Sequence, residues 1–316
     1  MSLIDKAVEA LYGSKKYGEL SSLYKLFDET VCDAIALELS DKLNLRNSTR
    51  AFDKIYVDLQ WIDKIPLASF VTPQKDLNGH KITNKTEIGD LFIQYRHTNA
   101  YPRDGNEEIH SYCHRALVVQ AKLASVEKPK VPIGYVNRKR VNSTTKELKL
   151  LESWPTFDMY ETSRSSQALV RGLSVKLEDV PFSFYGGFSN QSKSWFFGKA
   201  KNTEVCNKSF SDIIVELANN NAGKDVNHDS AWETITSEIT KTCKNRKMPP
   251  SIARKIESRH KSKGINEGVL YSFPAPLVYI FHRIWDKFLS MFRGKKMLVV
   301  TIDRVSYEGI DMDKYR

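Results

Sequence analysis

Gly89-Asp90 and Gln120-Ala121-Lys122 are the residues of this sequence whose types and spacing can do chemistry together. Gln120 and Lys122 lie two apart on an extended segment and so project to one face, while Ala121 turns to the other. Both interrupt an apolar run that contains Leu117, Val118 and Val119, and polar groups inside an apolar strand cost free energy unless they are satisfied or used. If the segment opening at Asp90 lies beside the one closing at Lys122, a carboxylate, an amide carbonyl and an ammonium converge. Such a set suits a hard divalent cation, Mg2+ or Mn2+. Magnesium prefers oxygen ligands, keeps several waters, and is held by one or two carboxylates together with substrate phosphate oxygens. The cation lowers the pKa of its water and neutralises charge on a phosphoryl group, and a nearby lysine positions the attacking water or stabilises the transition state. The chemistry is phosphodiester hydrolysis. The alternative is that Asp90 caps a turn and that Gln120 and Lys122 end a strand facing water.

The elements that must position these residues are legible as periodicities. Residues 20–39 carry apolar side chains at helical spacing (Leu23, Phe27, Val31, Ala34, Ile35), which predicts one helix of five turns. Glu38 falls in the i, i+4 series of Phe27, Val31 and Ala34 and so points towards the body or snorkels to solvent, whereas Glu29 sits off that face. Residues 54–63 alternate polar with β-branched and aromatic side chains and read as a strand before Pro66; Asp63 is either a further acid or the start of the turn. Residues 90–95 and 116–122 read as two more strands. Between them, the polar residues 96–114 look like a long loop, a kind of connection that is usually functional or disordered. Glu87, three residues before Asp90, is a fallback ligand.

Helix, strand, Gly-Asp at the head of a strand, then an apolar strand ending Gln-x-Lys resembles the core of the PD-(D/E)xK nuclease superfamily, in particular its Mrr-type members with Gln in place of the second acid. The resemblance covers roughly residues 20–125. It implies a restriction-endonuclease-like mixed sheet flanked by helices. It also implies that Asp90 ligates metal, Gln120 ligates or orients it, Lys122 handles the nucleophile, and a helix acid, Glu29 or Glu38, completes the site. The long strand-to-strand insertion departs from the family pattern.

The other groups point less far. His110, Cys113 and His114 offer three zinc-type ligands within five residues, yet tetrahedral zinc needs a fourth and none is spaced to supply it, so they read as the end of a polar loop. There is no GxSxG, no GxxxxGK[ST] and no GxGxxG; Gly186-Gly187 reads as a turn between aromatic runs. Hydrophobic residues at 41% and charged residues at 27% of 316 exclude a disordered or collagenous chain. The four scattered cysteines exclude a zinc ribbon or disulfide scaffold and lead us to expect reduced thiols in a cytoplasm. No apolar run is long enough to span a bilayer, and the N-terminus is amphipathic, unlike a signal peptide.

The net charge of +10 favours a polyanionic partner without naming it. It is concentrated: residues 128–149 hold seven Lys or Arg against one acid, and residues 241–263 nine against one. Arg138, Lys139 and Arg140 in the first segment, and Lys244, Arg246, Lys247, Arg254 and Lys255 in the second, are the candidate phosphate contacts, although a solvated helix face looks the same. Strands are expected at 157–160, 182–185, 194–197 and 297–302, and helices at 211–221, 230–243 and 277–292, the last apolar but interrupted by charge. The expectation is an α/β fold with a nuclease-like core in residues 1–150 and, in residues 151–316, an α+β continuation or second domain. The function expected is metal-dependent cleavage of nucleic acid, DNA rather than RNA. By resemblance it serves bacterial antiviral defence, with an activating partner or self-assembly and no membrane association. The competing expectation is a non-catalytic adaptor or nucleic-acid-binding protein that retains the fold.

Overall fold

The computed structural model describes residues 1–43, 45, 51–62, 66–103, 106–134, 143–245 and 297–308. Ser2 starts α1 (Leu3–Ala10), its hydroxyl accepting from the Asp5 amide at 2.9 Å. The single helix expected over residues 20–39 is two, α2 (Glu19–Lys25) and α3 (Glu29–Lys42). The break is at Asp28, which leaves the helical region (φ −140, ψ 145) and accepts from the Thr30 amide at 3.0 Å. An N-cap carboxylate thus overrides a continuous apolar stripe, because it satisfies a donor that the first helical turn would otherwise orphan.

Then follow β1 (Ala51–Ile62), β2 (Leu67–Phe70), β3 (Gln74–Lys75), β4 (Lys81–Ile82), β5 (Thr86–Glu87), β6 (Leu91–Arg103), β7 (Asn106–Ala124) and α4 (Ser143–Ser153). The second half contributes β8 (Phe157–Tyr160), β9 (Val170–Leu173), β10 (Ser183–Ser189), β11 (Ser194–Lys199), α5 (Phe210–Ala218), β12 (Lys224–Asp225), α6 (Ser230–Asn245) and β13 (Met297–Glu308). One mixed sheet runs in the order β1-β13-β6-β7-β10-β11, with β12 paired to β7. β6 and β7 are antiparallel; β10 runs parallel to β7 after the α4 crossover, and β13 runs parallel to β6. A smaller sheet, β5-β2-β8-β9, and the β3-β4 hairpin complete the strand pairing among the described residues.

Residues 96–114 are not a loop. β6 and β7 continue as one long hairpin, paired from Leu91↔Val119 to Arg103↔Asn106. The polar side chains expected in a loop find partners on β13, far away in the chain: Arg96 forks onto Asp303 at 2.5 and 2.7 Å, and His97 Nε2 meets Ser306 Oγ at 2.8 Å. Gly186-Gly187 is likewise buried strand rather than turn. A Cβ at Gly186 would stand 2.8 Å from the Phe197 ring, and one at Gly187 2.9 Å from Pro129, so the missing side chains let neighbouring elements close in.

The division expected at residue 150 falls inside α4. Strands from both sides of it share the main sheet, and one hydrophobic cluster runs from Ile4 to Ile302. Within that cluster Trp232 of α6 packs on Phe92, Trp154 and Phe182, and aromatics of this size dominate the burial that stabilises a core. Of the aromatics in the strands expected in the second half, Phe157, Phe182, Phe184, Tyr185, Trp195 and Phe197 are buried in the core. The expected helix over 277–292 lies outside the described residues. No described helix is long and apolar enough to cross a membrane.

Candidate active site

Asp90 is fixed before its side chain does anything. Its amide donates to Val119 O and its carbonyl accepts from Leu298 N, both at 2.9 Å, so its backbone is tied to β7 and to β13. Gly89 makes this possible, since a Cβ there would press on Val119 O at 3.1 Å. The carboxylate then turns onto β7: Oδ2 accepts from Gln120 Nε2 and from the Ala121 amide, the latter at 3.0 Å. Gln120 is fully buried, and Lys122, two residues on, shares its face. The sequence-predicted trio is therefore brought together at the end where β6 begins and β7 finishes.

Two acids that the sequence reading missed complete the cluster. Lys122 Nζ lies 3.2 Å from Glu147 Oε2 on α4 and 3.5 Å from Glu19 Oε1 on α2. Glu147 is 1% exposed and Glu19 45%. Glu87, the fallback acid, also acts on Lys122 electrostatically. The signals were present but slight: Glu147 is the one acid in the basic run 128–149, and Glu19 opens a helix at its first residue.

The helix acids expected from the resemblance do not reach this point. Glu38 neither snorkels to solvent nor faces Asp90. It is buried, and its two oxygens accept from the Ile4 amide at 2.9 Å and from Ser211 Oγ at 2.6 Å, which joins α3 to α1 and α5. Glu29 is exposed in the first turn of α3, where its charge favours the helix N-terminus.

Burial sets the electrostatics. It raises the pKa of Asp90, Glu147 and Glu19 alike, and the Lys122 ammonium opposes the rise at each. At Lys122 burial works to lower the pKa, but Asp90, then Glu147, Glu19 and Glu87, outweigh it and the net shift is upward. The acids around Lys122 thus favour its charged form. Four carboxylates facing one ammonium leave the cluster short of positive charge.

Among the described residues no three His, Cys, Asp or Glu side chains stand close enough to hold a metal ion. The donor set that fits one is smaller: the Asp90 carboxylate and Gln120 Oε1, a buried acceptor without a hydrogen-bond partner. That amount of protein ligation suffices for magnesium, which takes its remaining positions from water and phosphate. His110, Cys113 and His114 cannot assemble a zinc site, because neighbours on β7 point to opposite faces. Cys113 Sγ donates to Asn220 Oδ1 at 3.4 Å and His114 Nε2 meets Gln94 Oε1 at 3.1 Å.

Of the candidate phosphate contacts, Lys244 lies on α6 with its side chain outside the described residues. Arg138, Lys139, Arg140, Arg246, Lys247, Arg254 and Lys255 lie wholly outside them, as does Asp63. The chain matches no family model, no curated protein and no solved structure in the comparisons made with them.

Proposed function

We propose that this chain is a metal-dependent nuclease of restriction-endonuclease-like fold that hydrolyses phosphodiester bonds in DNA. The observation that carries this reading is the meeting of the Asp90 carboxylate, the Gln120 amide and the Lys122 ammonium at one point. In this reading Asp90 and Gln120 Oε1 hold Mg2+ or Mn2+. The cation supplies an activated water and Lewis-acid stabilisation of the phosphoryl group. Lys122, permanently charged, faces the non-bridging oxygens of the scissile phosphate and stabilises the negative charge that develops there. The order of elements supports the reading: helix, β1, Gly-Asp at the head of β6, Gln-x-Lys at the end of β7, then a helical crossover to parallel β10. The basic segments would supply sequence-independent phosphate contacts, and the free thiols Cys113 and Cys206 suit a cytoplasm. A role in antiviral defence, triggered by a partner or by self-assembly, extends the same reading.

The test is cleavage of supercoiled plasmid by purified protein with Mg2+ or Mn2+. Loss of nicking and linearisation in Asp90→Asn and Lys122→Ala is the result expected. Metal-dependent cutting that persists in Lys122→Ala would place the activity elsewhere. The burial of Gln120, with Lys122 already spanned between Glu19 and Glu147, favours a second reading, a non-catalytic nucleic-acid-binding adaptor. That protein would retard DNA in a gel and never cut it with any divalent metal.

A further inference from the structure

We propose that Glu147 is the positioning residue of this site, its carboxylate fixing the Lys122 ammonium against the Asp90–Gln120 pair. The inference rests on the nuclease reading for its catalytic meaning and on geometry for everything else.

Lysine carries four rotatable bonds, and an ammonium left free at the end of β7 would sample many places, most of them useless to a phosphate. Only a rigid partner removes that freedom, and Glu147 is the rigid one. Four consecutive residues in the first turns of α4 are each tied to a different part of the chain. Thr144 O accepts from Tyr185 Oη of β10 at 3.0 Å, Thr145 Oγ1 donates to the buried Asp76 at 2.9 Å, Lys146 Nζ donates to Lys85 O at 3.0 Å, and Glu147 meets Lys122 at 3.2 Å. Asp76 is itself braced, accepting from the Asn78 and His80 amides at 2.9 and 2.8 Å.

Neutralising Lys122 does not require Glu147, because Asp90, Glu19 and Glu87 surround the same ammonium. What Glu147 adds is direction. Glu19 lies farther away, is nearly half exposed and rides on a seven-residue helix; Glu147 is sealed in, and the three residues before it are each anchored.

The experiment reads the ammonium itself. In 15N-labelled protein, the side-chain NH3+ signals that survive solvent exchange are recorded, and that of Lys122 is identified by its absence in Lys122→Ala. It is expected in wild type and in Glu147→Gln, whose carbonyl can accept from the ammonium, and to vanish into exchange in Glu147→Ala. Should Glu147→Ala fail to fold, Glu147→Asp, which keeps the charge and withdraws it by one methylene, carries the same test. In the cleavage assay Glu147→Ala should lower kcat by roughly 10- to 100-fold, with KM and Mn2+ affinity within about two-fold of wild type. It should add nothing in the Lys122→Ala background. An unchanged Lys122 signal in Glu147→Ala overturns the proposal. So does a fall in Mn2+ affinity in Glu147→Gln as large as that in Asp90→Asn, which would make Glu147 a ligand. A wild type that never cuts sinks the nuclease reading instead, and the two failures are told apart because the Lys122 signal would still depend on Glu147.

Discussion

Asp90 spends stability on its position. Its pKa is raised because burial penalises the charge, so the folded state holds the proton more tightly than the unfolded chain does. The sign follows: any stabilisation from Asp90 is present at low pH and is lost as pH rises through the folded-state value. Above the ordinary carboxylate range and without metal, burial of this acid is therefore a burden. Asp90→Asn should raise metal-free stability by roughly 0.5–2 kcal/mol in urea unfolding, and added Mn2+ should stabilise the wild type but not the variant.

His114 titrates the other way. Burial, and then the Arg96 guanidinium, push its pKa down to about 4, so the unfolded chain takes up the proton first. The His114 contribution to stability is constant above about pH 6.5 and falls as pH drops from there towards 4. The ring is partly exposed, so the loss is about 1–3 kcal/mol. His114→Gln should flatten the curve of unfolding free energy against pH between 7 and 4.5.

At the scale of elements, the carboxylate that the sequence placed in the site turned out to be a clasp. Glu38 joins three helices through Ile4 and Ser211, and charge-assisted hydrogen bonds of this kind are worth about 1.5–3 kcal/mol each. Glu38→Ala should cost roughly 2–4 kcal/mol in unfolding free energy while leaving the Mn2+ affinity of the folded protein unchanged. The local strand signals at Asp90 and Gln-x-Lys were legible because they depend on alternation and order along one stretch of chain. The helix acids were not, for two physical reasons. Asp28 divides the helix that set their phase. The acids that do meet Lys122 come from either side of it in sequence, and only the fold brings them round. The hairpin of β6 and β7 was missed likewise, because Arg96 and His97 look like loop residues until Asp303 and Ser306 stand beside them.

Across the whole molecule, β13 decides whether the sheet exists. It pairs along its full length with β1 and over ten residues with β6, and without it both strands present bare hydrogen-bonding edges. A chain ending at residue 296 should lose cooperative thermal unfolding and partition into the insoluble fraction. A chain carrying Lys122→Ala should melt as one transition.

The same strand imposes an order of events on biosynthesis. A nascent polypeptide emerging from the ribosome can make the β6-β7 hairpin at once, but Asp90, whose carbonyl waits for the Leu298 amide, is not locked until the codons for residues 297–308 have been read. Contacts of such long reach form slowly. If the site acts as proposed, it would stay unassembled until that strand has been made.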